Sequence, residues 1–63
     1  MKAILIEYHD KAGMTKIECN KPSGEHILDA LWDPTEKQTP ENRIKFRNWT
    51  VGMLKRKGYE VDE

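Results

Sequence analysis

Residues Thr39 to Gly58 read TPENRIKFRNWTVGMLKRKG, and this stretch carries the signals for both ends of a helix. Thr39 supplies an oxygen that accepts from the free N–H groups of a first turn. Pro40 has no N–H to leave unpaired at the first helical position, and Glu41 complements the positive end of the helix dipole. Lys55, Arg56 and Lys57 meet the negative end, and Gly58 suits the left-handed conformation that stops a helix. The pattern predicts a long helix over residues 40–57.

At about 100° per residue, Phe46, Trp49 and Met53 fall within one arc, the spacing of a stripe that packs on a sheet. Ile44 and Val51 lie on a different side, separated from the first stripe by Arg43, Arg47, Thr50 and Leu54. A small sheet cannot readily cover both sides of one helix. The second stripe is therefore expected either to pack on a neighbouring helix through Leu28 or Trp32, or to form a partner surface with its arginines. Trp and Arg are residue types that often carry binding energy.

The chain before this helix reads as the surface that receives it. From Lys2 to His9, Ile4, Ile6 and Tyr8 alternate with Ala3, Leu5 and Glu7, the period of a strand. Asp10 to Gly13 supplies turn residues, and Met14 to Asn20 reads as the returning strand of a hairpin, with Thr15, Ile17 and Cys19 on one face and Met14, Lys16 and Glu18 on the other. Ser23 is placed to cap a short helix in which Ile27, Leu28, Leu31 and Trp32 recur at spacings of three and four. That helix is expected to end at Asp33, because the residue before Pro34 is steered away from helical angles. The tail from Tyr59 to Glu63 alternates apolar and polar residues and predicts a short third strand. The expected fold is one α+β domain spanning residues 1–63, two-layered, in the order ββααβ: a hairpin and a third strand packed against one short and one long helix.

Composition narrows the function classes. With 63 residues the chain is near the lower limit for folding without disulfides or a metal, so stabilisation by a partner or by a second copy as a homodimer is an open outcome. The single Cys19 forms no internal disulfide, which points to a reducing, cytoplasmic setting, and no run is long enough to span a membrane. Basic and acidic residues balance at 11 each, but not along the chain: residues 1–40 are acidic on balance, and Glu41 is the sole acid among the basic residues of the long helix.

His9, Cys19 and His26 are ligand types without the close pairing of a metal site, and no phosphate loop or catalytic constellation is present, so neither a metal, a cofactor nor an enzyme is expected. What remains is surface. The expected function is that of a small non-enzymatic protein binding another macromolecule, most simply a protein, as an inhibitor, adaptor or accessory subunit, in the manner of virus-encoded modulators of host complexes. Its candidate contact residues are Trp32, Arg43, Ile44, Arg47 and Val51. The alternative is nucleic-acid binding by the basic helix through Lys45, Lys55, Arg56 and Lys57, whose charges spread around its circumference.

Overall fold

The computed structural model describes residues 1–61, so Asp62 and Glu63 of the expected third strand lie outside the described residues. The elements are β1 (Lys2–Asp10), β2 (Gly13–Asn20), β3 (His26–Leu31), α1 (Pro40–Arg56) and β4 (Glu60–Val61). They form an α+β domain in which a mixed sheet, ordered β3-β2-β1-β4, packs one face against α1. β1 and β2 make the expected antiparallel hairpin, with Leu5 opposite Cys19 and Ile6 opposite Glu18. β4 returns beside β1 in parallel, Lys2 opposite Glu60 and Ala3 opposite Val61. No described helix is long and apolar enough to cross a membrane.

The expected ββααβ order does not hold, because the segment read as a short helix is a strand. β3 lies antiparallel to β2, with Ile17 opposite Ala30 and Cys19 opposite Leu28. The turn before it shows why. Lys21 N–H donates to the Glu25 carbonyl at 2.8 Å and Gly24 N–H donates to the Lys21 carbonyl at 2.8 Å, closing a hairpin turn in which Gly24 takes a φ of +95°. Ser23 therefore sits in a tight turn rather than at a helix start. The strand also gives the backbone of β2 a second partner, which a helix over the same residues would not.

The helical spacing of Ile27, Leu28, Leu31 and Trp32 has another physical origin: Leu31 is an apolar residue on the outward face, 72% exposed opposite Lys16, and Ile27 sits at a break in the strand alternation. Between Cys19 and Asn20 the register with β3 shifts, so that Cys19 faces Leu28 and Asn20 faces His26. Ile27 is the extra residue, and both Ile27 and Leu28 pack against the core. The same device operates in β2. The hairpin register shifts as β1 passes from Tyr8 to His9, leaving Thr15 extra between Met14 and Lys16. Met14, expected on the polar face with Lys16 and Glu18, is thereby turned inward and buried.

Both ends of α1 form as the sequence predicts. The Thr39 side chain accepts from Asn42 N–H at 3.1 Å. At the other end, Tyr59 N–H reaches the Leu54 carbonyl and Gly58 N–H the Lys55 carbonyl, each at 3.0 Å, while Gly58 adopts a φ of +94°. These two bonds satisfy carbonyls that a simple helix end leaves open, and they bring Tyr59 against the core beside Leu54.

The inner face of α1 is not the expected stripe. Thr50, Val51 and Leu54 are the buried residues of the helix, and the Thr50 hydroxyl donates to the Phe46 carbonyl at 2.9 Å. Val51 is 4% exposed, whereas Ile44, on nearly the same azimuth, is 60% exposed. Seven residues of helix separate them by about 10 Å along the axis, so their difference arises from position along the helix and not from the side it faces. The buried residues of α1 lie in its C-terminal half, whereas in the N-terminal half Phe46 packs against the core only in part and Ile44 stands in solvent. The arginines fill the inner line there: Arg43 Nη1 donates to the Gln38 carbonyl at 2.8 Å, and Arg47 Nη1 to Glu7 Oε2 at 3.1 Å.

Candidate binding cleft

The N-terminal half of α1 and the chain leaving β3 line an open cleft of about 570 Å³. Leu31, Trp32, Asp33, Glu36, Asn42, Lys45, Phe46 and Trp49 line it. Its floor is an aromatic ladder. Trp32 and Phe46 meet edge to face at 5.2 Å and 77°, and Phe46 and Trp49 stack at 6.4 Å and 16°. Both geometries suit the quadrupoles of the rings. Trp32 is further fixed by its indole Nε1–H, which donates to the Glu36 carbonyl at 3.3 Å. The rim is apolar and solvent-facing: Leu31 is 72% exposed and Trp49 54% exposed.

The polar lining is held by local bonds. Asp33 Oδ1 accepts from Thr35 N–H at 2.9 Å and from the Thr35 hydroxyl at 2.7 Å, and these bonds hold its carboxyl below the usual aspartate range. Glu36 N–H closes the same turn onto the Asp33 carbonyl at 3.0 Å. Asn42 donates from its side-chain amide to the Lys37 carbonyl at 2.9 Å, anchoring the connection to the first turn of the helix. Lys45 pairs with Glu41 at 3.4 Å, an exposed contact one helical turn away. Asp33 and Glu36 thus leave the β3 side of the cleft acidic.

The contact residues expected from the sequence do not form one surface. Trp32 lines the cleft, Val51 is buried, and Arg43 and Arg47 are half-buried ties between the helix and the rest of the chain. Ile44 is exposed, but by helical angle it faces the flank of α1 opposite Phe46 and Trp49. Phe46, Trp49 and Leu31 take their places beside Trp32. The angular pattern groups Phe46 with Trp49 as core; Phe46 does pack partly against the core, and Trp49 stays exposed. Among the alternative nucleic-acid residues, Lys45, Lys55, Arg56 and Lys57 are all exposed and spread around the helix.

The ligand-type residues divide between the two faces of the sheet. Cys19 is buried against the helix side, where burial pushes its thiol pKa up, and His26 lies exposed. On the face away from the helix, ligand atoms of Glu18, His26 and Asp29 lie within 4.8 Å of one another, and these are the described residues best able to hold a metal ion. They are already engaged. The Asn20 amide donates to Glu18 Oε2 at 2.7 Å, its carbonyl oxygen is 3.0 Å from His26 Nδ1, and Lys16 Nζ stands 4.0 Å from Asp29. The hydrogen bond from Asn20, with the nearby Lys16 charge, holds the Glu18 carboxyl below its ordinary range. Ile4, Ile6 and Tyr8 line the β1 side of this face, half exposed.

Comparison of the chain with protein-family models, with curated proteins and with solved structures finds no match.

Proposed function

We propose that this chain is a non-enzymatic binding module for another protein, working in a reducing cytoplasmic setting, and that the cleft between β3 and α1 receives the partner. The observation that supports this is the exposed aromatic ladder. A stable domain this small has little apolar surface to spare, yet Leu31 and Trp49 stand largely in solvent beside Trp32 and Phe46. Trp anchors at a concave site are a common source of binding energy between proteins. The role is that of an inhibitor, adaptor or accessory subunit, acting by occupying a surface of its partner.

The test uses variants of exposed residues as baits in an extract of the source cells. A partner retained by the wild type and by Ile44→Glu, but lost by Trp49→Glu and Leu31→Glu, supports the cleft. Loss with Ile44→Glu alone moves the site to the opposite flank of α1 and sinks this reading.

A second reading, nucleic-acid binding, draws on one observation: exposed Trp49 shares its side of α1 with Lys45 one turn before it, so a stacking group sits beside a cation. Gel shifts with DNA and RNA at low salt, where such affinity is greatest, separate the two. A retarded complex that weakens steeply with added salt favours nucleic acid.

A further inference from the structure

The geometry points to the form in which the partner binds: an extended peptide segment that adds to the outer edge of β3 and lays alternate side chains across the cleft. This rests on the cleft being the binding site and specifies its ligand. β3 is the outermost strand on its side of the sheet, and no described strand pairs with its outer edge. Trp32 N–H donates across to the Thr15 carbonyl of β2 at 2.9 Å. Because backbone groups alternate in direction along a strand, Trp32 and Ala30 turn their N–H and C=O groups toward β2, and Leu31 and Asp29 turn theirs outward. A free strand edge offers donors and acceptors to any extended chain that reaches it.

Natural edges are usually blunted by proline, by lysine or by a covering element. The sequence of β3, HILDAL, contains neither proline nor lysine, and its bulge at Ile27 lies before the regular stretch from Asp29 to Leu31. The chain that follows turns away at Asp33 and Pro34 and lines the cleft, leaving the edge uncovered by any described strand. An added strand would therefore find hydrogen-bonding partners at Asp29 and Leu31 and an apolar wall directly continuous with them.

The period of two fixes what such a segment carries. Residues opposite Ala30 and Trp32 project to the helix side, over Trp32, Phe46 and Trp49, and so are apolar or aromatic. The residue opposite Asp29 projects to the other face. Asp29 lies there beside Glu18, so a Lys or Arg is favoured at that position. Lys16 and His26 already stand 4.0 and 3.7 Å from Asp29, so an arriving cation shares this carboxylate with them. The partner segment is thus extended, with apolar residues two positions apart and a basic residue beside them.

Selection from a displayed library of linear peptides about a dozen residues long, on the immobilised full chain, tests this. The expected enrichment is an apolar–any–apolar run flanked by Lys or Arg. The selected peptide is then titrated by Trp fluorescence, unmodified and with one backbone N-methylation at each position in turn. Methylation at alternate positions, those whose N–H faces β3, should weaken binding about tenfold or more. Leu31→Pro removes an N–H that points away from β2, a substitution sheet edges tolerate, and should weaken binding similarly. Enrichment of helical spacing, no enrichment, or indifference to N-methylation overturns strand addition. Indifference to Trp49→Ala would instead remove the cleft itself, so the two failures are distinct.

Discussion

Gln38 clasps the backbone of Met14 at two points: its side-chain oxygen accepts from Met14 N–H at 3.0 Å and its amide donates to the Met14 carbonyl at 2.8 Å. One side chain thus supplies both bonds that a neighbouring strand would have made. It ties the connection between β3 and α1 to the hairpin, and this connection forms the acidic wall of the cleft.

Gln38→Ala should therefore behave as a core substitution although the residue is only half-buried. It leaves the N–H and C=O of buried Met14 without their partner, at a cost of about 1–3 kcal/mol. Gln38→Glu should also destabilise at neutral pH, because its second oxygen faces the Met14 carbonyl in place of a donor. Urea unfolding at equilibrium measures both, and a change within experimental error for Gln38→Ala would show that the clasp contributes nothing.

Leu54 and Ile44 separate the two halves of α1. Leu54 has no exposed surface, and Leu54→Ala should cost about 2–5 kcal/mol, enough to unfold much of so small a domain. Ile44→Ala should lie within about 0.5 kcal/mol of wild type, as expected for an exposed site. The same unfolding curves provide the comparison, and equal costs would mean that the helix is seated differently.

The fold was legible where one residue's chemistry decides one conformation. Thr39, Pro40 and Gly58 set the ends of α1, and the alternation of Ile4, Ile6 and Tyr8 marks β1, because these signals act locally. β3 was misread because two departures coincide: Ile27 is an extra inward residue at a bulge, and apolar Leu31 faces outward opposite Lys16, so that together with Leu28 and Trp32 they fall at helical spacings. Nothing local reports that β2 has an unfilled edge. The cleft was half legible. Trp32 is among the contact residues expected from the sequence, but the exposure of Trp49 depends on how α1 is seated on the sheet, a tertiary property.

Asp33 gives the wall of the cleft a defined pH dependence. Its ordinary value is 3.8, and the bonds from Thr35 lower it in the folded chain. A carboxylate with a depressed folded value contributes stability that is fully present above its unfolded value and is lost as pH falls through the folded one. The difference in stability between wild type and Asp33→Asn should then be constant near neutrality and shrink below about pH 4. Unfolding midpoints collected across that range check it, and a difference that grows as pH falls would refute the assignment.

Cys19 should be silent in the folded state. Its thiol is buried and its ionisation is opposed first by desolvation and then by the charges of Asp29 and Glu18. Reaction with an aromatic disulfide reagent should proceed at least about a hundredfold more slowly than in urea, at a rate set by opening of the domain. Rapid labelling of the native chain would place the thiol at the surface.

The most direct test of the cleft is an equilibrium titration of the purified partner against wild type, Trp49→Ala and Ile44→Ala. Trp49 is exposed enough that its removal should leave folding intact. A weakening of about thirtyfold with Trp49→Ala, the scale of one binding hot spot, and less than about twofold with Ile44→Ala is the expected result. Equal affinities for wild type and Trp49→Ala would contradict the assignment of the aromatic cleft as the binding site.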